Sequence, residues 1–150
     1  MNDGLLSGSA TAKKAVAILT RKTGDFVLPT PRQKKNLVVA FAKNDMIIYG
    51  KAFDLVRLKG AVNLDVVEDV ERCFELITIL EIKSTRKALP DNFAGFFFAL
   101  TAAEVLVAQS LKQRFRFVFV NTNNGSYFEL GLNEIFARAR GIYPTWSIMF

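Results

Sequence analysis

Phe74-Glu-Leu-Ile-Thr-Ile-Leu-Glu-Ile-Lys-Ser-Thr85 is the stretch from which the rest of the chain can be placed. It is rich in large apolar and β-branched residues and contains no Gly or Pro. Its apolar residues do not alternate cleanly with polar ones, so it reads as a central strand covered on both faces. Near its end stand Glu81 and Lys83. Side chains alternate across a strand, so these two project from the same face. A second acid, Asp54, lies 27 positions earlier in K-A-F-D-L-V, again between apolar residues in a predicted strand. An unpaired buried carboxylate is costly, and a metal ion or a cation offsets that cost.

Composition narrows the chemistry. The 150 residues fit a single domain with a real hydrophobic core, and 51% apolar content with 14 Phe argues for a folded chain. The formal net charge of +6 permits nucleic acid or another anionic partner without requiring one. Cys73 is the single cysteine, which excludes an internal disulfide and suits a reducing, cytoplasmic setting. Beside the apolar strand it is expected to be a small buried hydrophobe. The chain has no histidine, which removes His-based zinc sites and Ser-His-Asp triads. A metal site must then be built from carboxylates and carbonyls, which favours Mg²⁺, with Mn²⁺ able to substitute. The first ten residues lack a signal-peptide core, and the longest apolar run, residues 93–100, is too short to span a membrane.

In chain order, residues 1–10 are expected to be a loose tail. A helix over roughly residues 10–22 follows, capped by Ser9 or Thr11 and ended near Gly24. Residues 32–43 are ambiguous between a helix with a basic first turn and a basic loop feeding a strand. Asn44-Asp45 signals a turn. Residues 51–60 read as one bent strand or two short ones. Residues 61–72 are an acidic link, helical or turn. After the 74–83 strand, F-A-G-F-F-F-A-L reads as an apolar strand or buried segment. Thr101-Ala-Ala-Glu104 has the form of a capping box and opens a helix of about ten residues. R-F-R-F-V-F-V-N is the clearest strand, and Asn124-Gly125 tips a hairpin into S-Y-F-E-L. A last helix from Asn133 is expected to end with Gly141 just past its C-terminus. Y-P-T-W-S-I-M-F looks too apolar for a free tail. The order implies an α/β (α+β) domain with a mixed sheet of four or five strands flanked by helices.

A Mg²⁺-dependent nuclease needs oxygen ligands, an activated water and charge stabilisation at the scissile phosphate. Asp54, Glu81 and the Ile82 carbonyl are the candidate metal ligands. Asp54, Glu81 and Lys83 are the candidate catalytic set. An E-x-K triplet alone is a weak signal, since an exposed ion pair has the same spacing. With D-L-V before it, and a helix and R-F-R-F-V-F-V after it, the segment 50–121 resembles the PD-(D/E)xK, restriction-endonuclease-like nucleases. Asp54 matches the family's first acid and Glu81-Ile82-Lys83 its E-x-K. Phe53 stands where the family usually has proline, and the 10–22 helix offers no further acid. The resemblance implies a restriction-endonuclease-like core and a small type II restriction enzyme acting on DNA. Such an enzyme would act as a homodimer, with a possible cognate methyltransferase as its partner. A junction resolvase or repair nuclease of the same superfamily, and a non-catalytic basic nucleic-acid-binding module, are the rival readings.

Ser84, Thr85, Arg86 and Lys87, just after the site lysine, and the Arg32, Lys34, Lys35 cluster are candidate nucleic-acid contacts. Glu104 has two readings, helix cap or metal neighbour. Gln109 reads as structural or as support for catalysis. Arg114 and Arg116 read as solvated. Tyr143, Trp146 and Phe150 read as core or dimer packing, or as stacking surfaces for bases.

Overall fold

The computed structural model describes residues 3–150, with side chains described from residue 10 onward. The chain forms a mixed α/β structure: one five-stranded sheet flanked by helices on both faces. In order, the elements are α1 (Asp3–Lys22), β1 (Phe26–Val27), α2 (Pro31–Ala42), β2 (Leu55–Leu58), α3 (Val67–Arg72), β3 (Ile77–Thr85), α4 (Ala102–Leu111), β4 (Phe115–Asn121), β5 (Tyr127–Leu130) and α5 (Leu132–Arg138). The strands lie in sequence order across the sheet. β3 and β4 run parallel, and every other pair is antiparallel. A parallel pair needs a crossover, and α4 supplies it.

β3 is the middle strand, as its composition implies, and its alternation sorts the core into two layers. Leu80 and Ile82 face one side, with Leu55, Val118 and Val120, and are covered by Ala15 and Leu19 of α1. Ile77 and Ile79 face the other, with Phe115, Phe117 and Phe119, beneath Leu37 and Phe41 of α2 and Val107 and Leu111 of α4. No helix among the described residues is long and apolar enough to cross a membrane.

Local chemistry sets the helix starts. Thr30 Oγ1 accepts from Gln33 N at 3.2 Å, Gln33 Oε1 accepts from Thr30 N at 3.0 Å, and Pro31 fills the first turn. This settles residues 32–42 as helix, with Lys43 at its C-cap; the T-P-R-Q signature was present in the sequence. Thr101 and Glu104 form the expected box on α4. At the β4–β5 hairpin, Gly125 takes φ 76°, open to glycine at little cost, and Asn124 Oδ1 accepts from Ser126 N at 2.9 Å.

Several expectations are corrected. α1 begins at Asp3, ahead of Ser9 and Thr11, so residues 3–10 are helical rather than a loose tail; residues 1–2 lie outside the described residues. β3 begins at Ile77, because Phe74–Leu76 close a 3₁₀ turn first. Only Leu55–Leu58 of the 51–60 segment is strand, since a turn from Tyr49 O to Ala52 N at 2.9 Å bends the chain before it. Residues 93–100 are not a strand: Phe93 at φ 57° and Gly95 at φ 83° are incompatible with extended backbone. Phe93 is nonetheless buried, edge-on to Phe128 at 4.9 Å. α5 starts at Leu132 and stops at Arg138, short of Gly141. Cys73 is only half-buried, at the junction of α3 and the 3₁₀ turn. Tyr143, Trp146 and Phe150 are exposed and pack in no core.

Candidate functional site at the end of the central strand

The register of β2 against β3 builds the site. Leu55 lies opposite Leu80, so one residue further Asp54 faces Glu81 on the same side of the sheet. Asp54 N still donates to Leu80 O at 2.9 Å, and its carboxylate then takes over the pairing: Oδ2 accepts from Ile82 N at 2.9 Å. A strand residue points its N–H and C=O to the same side. The Ile82 carbonyl therefore also faces the space where β2 has ended.

The loop before Asp54 is pinned from α2. Lys34 Nζ donates to Phe53 O at 2.8 Å and Gly50 O at 3.1 Å, and sits 4.7 Å from the centre of the Phe53 ring. Lys34, a candidate phosphate contact in the sequence, is thus engaged inside the protein, holding the residue next to the first acid. Arg32 and Lys35 are exposed on the same helix.

Glu81 and Lys83 share the phenylalanine-rich face, opposite Phe117 and Phe119 of β4. Lys83 Nζ lies 3.5 Å from Glu81 Oε1 and 2.8 Å from Glu104 Oε2. Glu104 is 5% exposed, and its Oε2 also accepts from Thr101 N at 3.1 Å. Sequence reasoning weighed Glu104 as a cap or a metal neighbour. The structure makes it a cap and a partner of Lys83; only the crossover geometry, invisible in sequence spacing, brings α4 over β3.

The electrostatics are unbalanced. Asp54, Glu81 and Glu104 contribute three formal negative charges against the single positive charge of Lys83. Burial, then the neighbouring Asp54, raises the Glu81 carboxyl to about 9, with Lys83 opposing and Glu104 adding to the rise by its charge and a hydrogen bond. Glu81 thus holds a proton at neutral pH and thereby relieves the excess negative charge.

Among the described residues, no group of three or more His, Cys, Asp or Glu side chains is gathered closely enough to hold a metal ion by itself. Asp54, Glu81 and the Ile82 carbonyl are nevertheless hard oxygen donors. Mg²⁺ is usually held by one or two carboxylates, with water and substrate phosphate completing its shell. The donor set fits that mode.

Among the remaining candidates, Ser84 is half-buried, and Thr85 is buried with Oγ1 accepting from Lys87 N at 3.1 Å. Arg86 and Lys87 are exposed beyond the strand end, Arg86 lining an open hollow with Ala10, Thr11, Lys14 and Thr122. Gln109 is exposed. Arg114 pairs with Glu75 at 2.7 Å, and Arg116 with Glu134 at 3.0 Å, so neither is simply solvated. Compared with protein-family models, curated proteins and solved structures, the chain matches none significantly.

Proposed function

We propose that the chain is a Mg²⁺-dependent DNA endonuclease of the PD-(D/E)xK, restriction-endonuclease-like kind. The observation that carries this reading is the excess of carboxylates over cations at the end of β3. Glu81 and Glu104 flank the one lysine in a mostly buried cluster, and Asp54 beside Glu81 adds a third acid that a metal ion would compensate. Asp54, Glu81 and the Ile82 carbonyl would hold Mg²⁺ or Mn²⁺. When bound, the ion would polarise the phosphate and acidify a water.

The chain's own residues do the rest. Asp54, fixed by the Ile82 amide, keeps one carboxylate aimed across the gap between β2 and β3. Lys83 supplies a positive charge at the developing phosphorane, a role suited to a compact ammonium. Glu81 must release its proton before it can ligate. Arg86 and Lys87, and Arg32 and Lys35 on α2, are the exposed cations available to the DNA backbone. Within this class the reading is a type II restriction endonuclease acting in the cytoplasm as a homodimer, alongside a cognate methyltransferase. A junction resolvase or repair nuclease is the alternative substrate class.

One observation favours a second reading. Among the described residues no buried side-chain polar atom lacks a hydrogen-bond partner, so the cluster is satisfied without a ligand. A non-catalytic basic nucleic-acid-binding module would need nothing more.

Cleavage of supercoiled and branched DNA with Mg²⁺ separates these readings. Fragments from the wild type that disappear with EDTA, with Asp54→Asn and with Lys83→Ala support the nuclease. Cutting of plain duplex at a fixed sequence supports restriction, and cutting only at branches supports a resolvase. DNA binding without cutting under Mg²⁺ or Mn²⁺ overturns the enzyme in favour of the module.

A further inference from the structure

Among the described residues, three helices place a Gln or Glu at the third position to meet the backbone N–H of the cap residue. On α2 the residue is Gln33, which accepts from Thr30 N at 3.0 Å. On α5 it is Glu134, which accepts from Gly131 N at 3.0 Å and is half exposed beside Arg116. On α4 it is Glu104, at 5% exposure. Gln33 shows that the cap needs only a carbonyl oxygen. A carboxylate at Glu104 buries a charge that the capping role does not require, and a buried charge is retained at a cost unless it is paired.

Its pairing is with Lys83. One oxygen of Glu104, Oε2, accepts from both Thr101 N and Lys83 Nζ, at 3.1 Å and 2.8 Å. The backbone N–H fixes that oxygen to the first turn of α4, and the same oxygen fixes the ammonium. Lys83 Nζ lies nearer to Glu104 than to Glu81, at 2.8 Å against 3.5 Å. A lysine carries a long, flexible stem, so an ammonium placed to within a few tenths of an ångström needs an anchor.

We propose that Glu104 is a positioning residue: its carboxylate, locked by the α4 cap, holds the Lys83 ammonium beside the Asp54–Glu81 pair. This rests on the nuclease reading for its catalytic consequence, but the hold itself does not. α4 thereby joins the site through its first turn, so the crossover that makes β3 and β4 parallel also sets the geometry of the site lysine.

The test compares wild type, Glu104→Gln and Glu104→Ala. Gln keeps the acceptor for Thr101 N and loses the charge; Ala loses both. Three readouts are taken: the urea midpoint, kcat and KM for plasmid cleavage with Mn²⁺, and the side-chain ¹H–¹⁵N peak of the Lys83 ammonium, assigned by its absence in Lys83→Met. The expected result for Glu104→Gln is an unchanged midpoint and KM, a broadened ammonium peak, and kcat reduced by roughly ten- to hundredfold, the cost of a misplaced catalytic group. A Gln variant that retains the wild-type ammonium peak overturns the hold, because the carboxylate then contributes nothing beyond the cap, and a Gln variant with wild-type kcat overturns the catalytic consequence. If the wild type never cuts DNA, the nuclease reading fails, and the ammonium peak alone decides whether Glu104 holds Lys83. If Glu104→Ala fails to fold, the Gln variant carries the test.

Discussion

Two ionic clusters lie on opposite faces of the same sheet, and they are composed differently. On the α1 face, Arg57 pairs with Glu129, and Arg116 lies 3.8 Å from Glu129 and 3.0 Å from Glu134. Two cations meet two anions, drawn from β2, β4, β5 and α5, and the set is neutral by itself. On the other face, Glu81 and Glu104 flank Lys83 and Asp54 lies beside Glu81, so three carboxyl groups face one ammonium. The balanced cluster ties strands together. The unbalanced one holds a proton on Glu81 to remain tolerable. Charge balance thus separates a structural network from a candidate site more clearly than burial does, since both are mostly covered.

The largest expected effect breaks the comparison at its core. Asp54→Asn or Lys83→Ala reduces DNA cleavage by about a hundredfold or more, whereas Arg116→Ala on the other face leaves it near wild type, as read by initial rates on plasmid DNA. Equal losses from both faces would mean that neither cluster is specific to catalysis.

Next comes pH. The Glu81 carboxyl is raised from 4.5 to about 9 in the fold, so between those values the folded chain binds a proton that the unfolded chain releases. The contribution to stability is complete below the unfolded value and is lost as pH rises towards 9. Denaturation in EDTA from pH 5 to 9 is expected to show that decline, and Glu81→Gln is expected to flatten it. Adding Mg²⁺ at pH 8 is expected to raise Tm by a few degrees in the wild type and not in Asp54→Asn, by ordinary ligand linkage. Failure of Mg²⁺ to shift Tm would leave Lys83 and the proton as the site's counter-charges.

The smaller effects sharpen the other side. Glu129→Ala, which removes the carboxylate of Arg57 and leaves Arg116 with Glu134 alone, is expected to lower stability by about 1–2 kcal/mol by urea denaturation. Glu75→Ala, removing the exposed partner of Arg114, is expected to change it by less than about 0.5 kcal/mol.

The central strand, the Thr101 box, β4 and the Asn124-Gly125 hairpin were legible because each rests on a local rule: apolar run, cap chemistry, alternation and a left-handed turn residue. Glu81 was legible as a strand-borne acid; Asp54 stands one residue before β2 rather than in it, and continuing the register by one residue sets it opposite Glu81. Lys34 and Glu104 were misjudged or left open for one physical reason. Their partners, the Phe53 carbonyl and the Lys83 ammonium, lie 19 and 21 residues away, and only the packing of α2 and α4 onto the sheet decides such pairs. The 93–100 segment defeated pattern reading because left-handed backbone at a phenylalanine has no compositional signature. The C-terminal stretch defeated it because apolar content does not state what, if anything, covers it.

That stretch has a consequence for the bench. The chain has one tryptophan, Trp146, and it is 89% exposed in the closing segment, far from the phenylalanine layers of the core. Its emission begins in water and stays there when the sheet melts. A fluorescence melt followed at the indole would look flat for a cooperatively folded protein and invite the conclusion that it never folded. Circular dichroism of the backbone, or a tryptophan placed at Phe117 with Trp146 removed, would report the transition the native indole cannot see.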